Sequence, residues 1–77
     1  IIIVPNTKKN IKLSIVVPVY NSQGTISNTI KSLQEQALED IEIICVDDCS
    51  SDNSVQLIKS MMKNDSRICL YTMMPIF

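Results

Sequence analysis

Seventy-seven residues, 45% hydrophobic and 19% charged, suit one small folded domain and are too apolar for a disordered chain. A net charge of −1 with scattered lysines, and only Tyr20, Tyr71 and Phe77 as aromatics, suggests neither a nucleic-acid partner nor an anionic membrane surface. Histidine is absent and Cys45, Cys49 and Cys69 lack Cys-x-x-Cys spacing, so a zinc site would need a carboxylate as fourth ligand, which is unusual for a structural site.

The opening Ile-Ile-Ile-Val-Pro is too short for a membrane span, which takes ~20 residues, or for a signal-peptide core of ~7–15. Together with the apolar ending Thr-Met-Met-Pro-Ile-Phe it is expected to mark an excised piece of a longer protein. Residues 1–12 have no clear period, and Pro5-Asn6-Thr7 with Lys8, Lys9 and Lys12 read as a solvated lead-in arm. Residues 13–77 are then the domain proper.

Residues 13–20, Leu-Ser-Ile-Val-Val-Pro-Val-Tyr, read as a first strand. Its near-continuous apolar run is that of a strand covered on both faces, as in parallel sheets. Pro18 has no N–H for a ladder, so it belongs at the strand's end and brings Val19 and Tyr20 to the carboxyl mouth. Asn21 or Ser22 is suited to cap the next helix. Ile26, Ile30, Leu33 and Ala37 recur at helical spacing, which predicts a helix over 22–38.

Residues 41–46, Ile-Glu-Ile-Ile-Cys-Val, read as a second, short, β-branched strand ending in Asp47-Asp48. The polar run Cys-Ser-Ser-Asp-Asn-Ser follows, where Ser51 or Asp52 is the expected helix cap. Val55, Ile58 and Met62 form one helical stripe flanked by Leu57 and Met61, and such a stripe is a core face. Asn64-Asp65-Ser66 ends this helix, and 67–72 reads as a third strand. In this layout Cys45 and Cys69 are expected to be reduced, buried thiols of a cytoplasmic protein, and Cys49 to be exposed.

The order β-α-β-α-β implies an α/β fold with a parallel three-stranded sheet and right-handed crossovers. Both helices then fall on one face with strand order 3-2-1. The second sheet face is left open, and more chain or a partner is expected to cover it.

Two adjacent carboxylates after a buried strand belong at its mouth, where ligands bind in open α/β sheets. A dinucleotide fold would need Gly-x-Gly-x-x-Gly after the first strand, and only Gly24 is present. A phosphorylation receiver would carry its acidic pair on the first strand, which here ends in Pro-Val-Tyr. No Gly-Lys-Ser/Thr of a P-loop occurs. Asp47 and Asp48 also fit plain solvated loop acids capping a helix, in a small α/β interaction module.

The combination is more specific than its parts. Ser14-Ile-Val-Val-Pro-Val-Tyr-Asn21, a helix bearing Ser32-Leu-Gln-Glu-Gln36, and Ile41-Glu-Ile-Ile-Cys-Val-Asp-Asp-Cys-Ser-Ser-Asp52 closely resemble the start of family 2 glycosyltransferases over roughly 12–71. The resemblance implies the N-terminal part of a Rossmann-like GT-A nucleotide-sugar-binding fold. It implies that Pro18, Val19 and Tyr20 lie against the nucleotide, with Asp48 at the base and Asp47 in support. It implies a nucleotide-sugar donor, most commonly a uridine one (a UDP-sugar), and a saccharide or lipid-linked acceptor. A divalent metal (Mn or Mg) is implied for the whole enzyme, on an Asp-x-Asp motif downstream of the third strand. Neither that motif nor the catalytic base lies in these residues, so the stretch is expected to be inert alone and to bind no metal.

Overall fold

The computed structural model describes residues 1–6, 11, 13–36 and 40–74. Its elements are β1 (Ile2–Pro5), β2 (Leu13–Val19), α1 (Ile26–Gln36), β3 (Ile41–Asp47), α2 (Ser54–Met62) and β4 (Ile68–Thr72). They build one sheet in the order β1-β2-β3-β4. β2, β3 and β4 are mutually parallel, in the sequential order expected for the three predicted strands. The α/β class and the parallel core of the sheet agree with the sequence.

The strand count does not. Ile2–Pro5, read as part of a solvated lead-in, pairs antiparallel with β2 from Ile2↔Val16 to Pro5↔Leu13. All four side chains are exposed, so this strand is held by its ladder rather than by burial. That is why no hydrophobic period announces it. β1 ends opposite Val16, and this settles how Pro18 is tolerated inside β2. Val19 accepts the Asp48 N–H, so its backbone polar groups face β3 and those of Pro18 face the other way. The missing N–H of Pro18 therefore falls on an edge that β1 does not reach.

Strand residues alternate between two sheet faces, most regularly in β3. Ile15, Val17 and Val19 of β2, Ile41, Ile43 and Cys45 of β3, and Ile68 of β4 share one core with Ile26 and Ile30 of α1 and Ile58 of α2. Both helices thus cover the same face. Ile30, Ile43 and Ile58 are sealed from solvent, each worth roughly 1.5–3 kcal/mol relative to exposure. On the other face Val16, Ile44, Val46 and Cys69 are only half-buried, and no described element layers over them. At its amino end that face is closed by polar contacts: Asn6 Nδ2 donates to Ser14 Oγ and Glu42 Oε1 at 2.6 and 2.8 Å, and Ser14 Oγ donates to Glu42 at 2.6 Å.

The helices begin later than the caps suggested. α1 starts at Ile26 after a turn in which Ser22 O accepts from Thr25 and Ile26, and neither Asn21 nor Ser22 caps it by side chain. Ala37 and Leu38, the expected end of that helix, lie outside the described residues. α2 has Asn53 at its N-cap without a side-chain bond; Asp52 serves the start of the helix by accepting the Ser54 N–H at 2.9 Å. Of the expected stripe, Ile58 is in the core and Met62 packs on it with the flanking Leu57 and Met61, whereas Val55 is half-buried outside that core.

Beyond α2, Asp65 accepts from the Arg67 N–H and Nε at 3.0 Å, from its Nη2 at 2.9 Å, and from Gln34 Nε2 of α1 at 2.8 Å. The Arg67 side chain first, then Gln34, hold the carboxyl well below the usual carboxylate range. A folded pKa below the unfolded one stabilises fully above the unfolded value, ~4, and that stability is lost as pH falls from there. Asp65→Asn is therefore expected to cost about 1–2 kcal/mol at neutral pH and to flatten the acid limb. Urea midpoints measured across pH check this, and an unchanged acid slope would count against it.

The three thiols differ in environment. Cys45 is buried and its pKa is pushed up to about 11 by burial, with Cys69 adding to the effect. Cys69 is half-buried on the open face rather than in the core as expected, and Cys49 is exposed. A disulfide reagent at mildly alkaline pH is expected to label Cys49 first, Cys69 more slowly, and Cys45 only on unfolding. Prompt labelling of Cys45 in the folded chain would contradict a sealed core.

Candidate functional site

The parallel register carries the ends of three strands to one rim. Val19 lies beside Asp47, and Asp47 beside Thr72. At that rim a cleft of about 470 Å³ is lined by Pro18, Val19, Tyr20, Ser22, Val46, Asp48 and Met73. Pro18 and Val46 enter from the open face of the sheet, so the cleft lies at its carboxyl end, where α/β sheets place ligands. Of the five residues singled out in the sequence, Pro18, Val19, Tyr20 and Asp48 line it. Asp47 does not.

Adjacent in sequence, the two aspartates are opposite in setting. Asp47 continues the alternation of Ile41, Ile43 and Cys45, faces the core side and is 2% exposed. Its two carboxylate oxygens accept from Ser50, one from the backbone N–H at 3.1 Å and one from the hydroxyl. Asp48 has left the strand and is exposed; its N–H donates to Val19 O at 2.9 Å while its side chain faces the cleft. Neither is a solvated helix cap: Asp47 is buried, and Asp52 serves α2.

Tyr20 lines the same cleft and is 63% exposed. Its backbone is pinned by Ser22, whose Oγ accepts the Tyr20 N–H at 3.4 Å and donates to Tyr20 O at 3.1 Å. The next residue, Asn21, takes a positive φ of 45°, which asparagine tolerates better than most residues. In the facing loop Cys49 takes φ of 57°, the turn that separates Asp48 from Ser50.

The β2–α1 and β3–α2 loops are interlocked by polar contacts. Asn21 N donates to Ser50 Oγ at 2.9 Å, and Ser51 N donates back to Asn21 Oδ1 at 2.8 Å. Gln23 N donates to Asp52 Oδ2 at 3.1 Å, and Asn53 N returns to Gln23 Oε1 at 3.1 Å. Ser22 N donates to Ser54 Oγ at 2.7 Å, and that hydroxyl donates to Asp52 Oδ1 at 2.6 Å. Ser54 Oγ is the first cause of the Asp52 carboxyl lying below its ordinary range. These side chains resemble helix caps by type, and their use across to the other loop is tertiary. The missed signal is mutual: each loop carries polar side chains and free amides in equal supply.

Among the described residues no group of three or more His, Cys, Asp or Glu side chains is placed to hold a metal ion. Among the described residues the lining of the cleft includes no lysine or arginine.

The sequence profile described as Glycosyl transferase family 2 matches residues 14–73. Over 57 residues the chain is 44% identical to the GalNAc(5)-diNAcBac-PP-undecaprenol beta-1,3-glucosyltransferase of Campylobacter jejuni, covering 74% of the chain and 18% of that relative. It is 50% identical over 54 residues to the poly(ribitol-phosphate) beta-glucosyltransferase of Bacillus spizizenii, covering 68% of the chain and 8% of the relative. To the uncharacterized glycosyltransferase EpsJ of Bacillus subtilis it is 45% identical over 56 residues, covering 73% and 16%. The chain therefore spans less than a fifth of the length of these three relatives.

The interlock generates a stability prediction. Ser54 is fully buried and is both acceptor and donor in it. Ser54→Ala leaves the Ser22 N–H unpaired and removes a donor from Asp52, at an expected cost of about 1–3 kcal/mol. Chemical denaturation measures it; a loss below a few tenths would show that water replaces the hydroxyl.

Proposed function

The chain belongs to glycosyl transferase family 2, and we propose that it forms the nucleotide-binding part of an enzyme that moves a sugar from a nucleotide-sugar to an acceptor. The donor is a uridine nucleotide-sugar and the acceptor a saccharide or lipid-linked glycan. The names of the Campylobacter and Bacillus relatives, an undecaprenol-linked and a polymer-directed glucosyltransferase, support that acceptor class. The observation that carries the reading is the pairing, across one cleft, of the exposed Tyr20 ring with an Asp48 carboxylate that makes no side-chain hydrogen bond to the described residues.

Each residue then has a part. Tyr20 offers a flat face on which a base can stack. The carboxylate of Asp48 is a hydrogen-bond acceptor, so it suits a base edge that donates. The imide N–H of uracil is such a donor, whereas the corresponding ring nitrogen of cytosine is an acceptor. Pro18 and Val19 provide the apolar floor of the cleft, and Asp47 supports the site from behind through Ser50.

The chemistry of transfer needs more than this stretch supplies. A divalent metal (Mn or Mg), when bound, stabilises the diphosphate that leaves the sugar, and a general base takes the proton of the acceptor hydroxyl. The described residues do not fit a metal, and none of them is assigned a catalytic part. We place both functions downstream of β4, so that this chain binds nucleotide without turning it over. No helix among the described residues is long and apolar enough to cross a membrane; reduced thiols accord with the cytoplasm as the place of action.

Calorimetric titration of the chain with uridine diphosphate, with and without manganese, tests the proposal. Binding indifferent to manganese is expected, abolished by Asp48→Ala with an unchanged unfolding midpoint. If Asp48→Ala binds as the parent chain does, the carboxylate is not part of a base site. An interaction module, the competing reading, predicts no nucleotide binding at all.

A further inference from the structure

We propose that Ser50 is a positioning residue of the cleft, through which the buried Asp47 fixes the backbone that carries Tyr20. The proposal rests on the nucleotide-binding reading above, which supplies the reason for holding Tyr20 and Asp48 at a set separation.

The geometry gives the Ser50 hydroxyl a defined direction. A hydroxyl has one proton to donate and two lone pairs to accept with. Its proton goes to Asp47 Oδ1, while the other Asp47 oxygen accepts the Ser50 N–H. Its lone pairs are thereby turned outward, and one of them accepts the N–H of Asn21 at 2.9 Å. Asn21 follows Tyr20 directly and sits at a φ of 45°, so an amide fixed there fixes the peptide that bears the ring. Asp48, two residues before Ser50, is held from the same side by the Asp47–Ser50 turn and by its own N–H to Val19. Both loops are thus referred to one buried carboxyl group, that of Asp47.

The chain of contacts runs Asp47, Ser50, Asn21, Tyr20, and within it the Ser50 hydroxyl bonds both Asp47 and the Asn21 amide of the other loop. No contact to nucleotide is needed from Ser50 itself. Losing the hydroxyl leaves the exposed Asn21 amide to water and lets the Tyr20 wall move relative to Asp48. The base would then meet a stacking face and an acceptor that are no longer set for it. Threonine keeps the hydroxyl, so Ser50→Thr separates the hydrogen bonds from the mere size of the side chain.

Two measurements decide the matter. In uridine diphosphate titrations, Ser50→Ala is expected to bind about fivefold more weakly and Ser50→Thr within about twofold of the parent, as for one hydrogen bond lost or kept. Equal affinity of Ser50→Ala and parent, or equal weakening by alanine and threonine, would overturn the proposal. Amide hydrogen exchange by NMR provides the reading without nucleotide. The Asn21 N–H is expected to exchange slowly in the parent and in Ser50→Thr, and fast in Ser50→Ala. Exchange at the free-peptide rate in the parent chain overturns the proposal even if Ser50→Ala fails to fold. A parent chain that shows the slow Asn21 amide but binds no uridine diphosphate instead defeats the nucleotide reading and leaves the tie standing.

Discussion

A carboxylate at the inner end of a central strand has to be matched by donors or it costs several kcal/mol, and the site depends on how Asp47 is matched. Both of its oxygens are taken by Ser50, three residues on. For Ser50 to reach back, the chain must turn sharply at once, and Cys49 adopts a left-handed φ of 57° to do so. That turn throws Asp48 out of the strand and into the cleft. Burial of one aspartate, strain at the next loop residue and exposure of the other aspartate are therefore one event. The same hydroxyl then receives Asn21, and the turn that ends β3 also fixes the turn that ends β2.

Much of this was legible in the sequence. The apolar runs at 13–20 and 41–46 and the helical spacing of Ile26, Ile30 and Leu33 placed the parallel core of the fold and its carboxyl rim. Proline's missing N–H placed Pro18 at the strand's end by that rim, and it is the penultimate residue of β2. β1 was hidden because its four residues gain their place from backbone pairing alone, with no buried face to print a period on the sequence. Caps were misplaced for a related reason: Asn21 and Ser22 have the chemistry of local caps, yet Asn21 spends it on the other loop and Ser22 on Tyr20, while Asp52 serves both the start of α2 and the Gln23 N–H of the other loop. Such cross-loop use depends on a distance that no single segment encodes.

The aspartate pair shows both the reach and the limit of reading along the chain. Parity counted from Ile41, Ile43 and Cys45 already puts Asp47 on the core side. What parity cannot supply is the donor, because Ser50 becomes that donor only through a backbone turn that L-residues adopt at a cost. Nothing in the residue type of Cys49 announces such a turn, where glycine is the usual occupant.

Charge decides which end of a donor such a cleft suits. Among the described residues its lining carries one acidic side chain, Asp48, and no lysine or arginine. Two unit charges of like sign 4 Å apart repel by roughly 1 kcal/mol in water and about 4 kcal/mol near a protein surface, so a diphosphate beside Asp48 would be disfavoured. A neutral base with an N–H on its edge gains from the same carboxylate. On the proposed nucleotide reading the half-site is polar in one sense only: base inward against Tyr20 and Asp48, phosphates outward to positive charge supplied from elsewhere. That asymmetry accounts for the design of the interlock behind it. A cleft that grips by one acceptor and one ring has little affinity to spare, and its geometry has to be held by the protein rather than by the ligand.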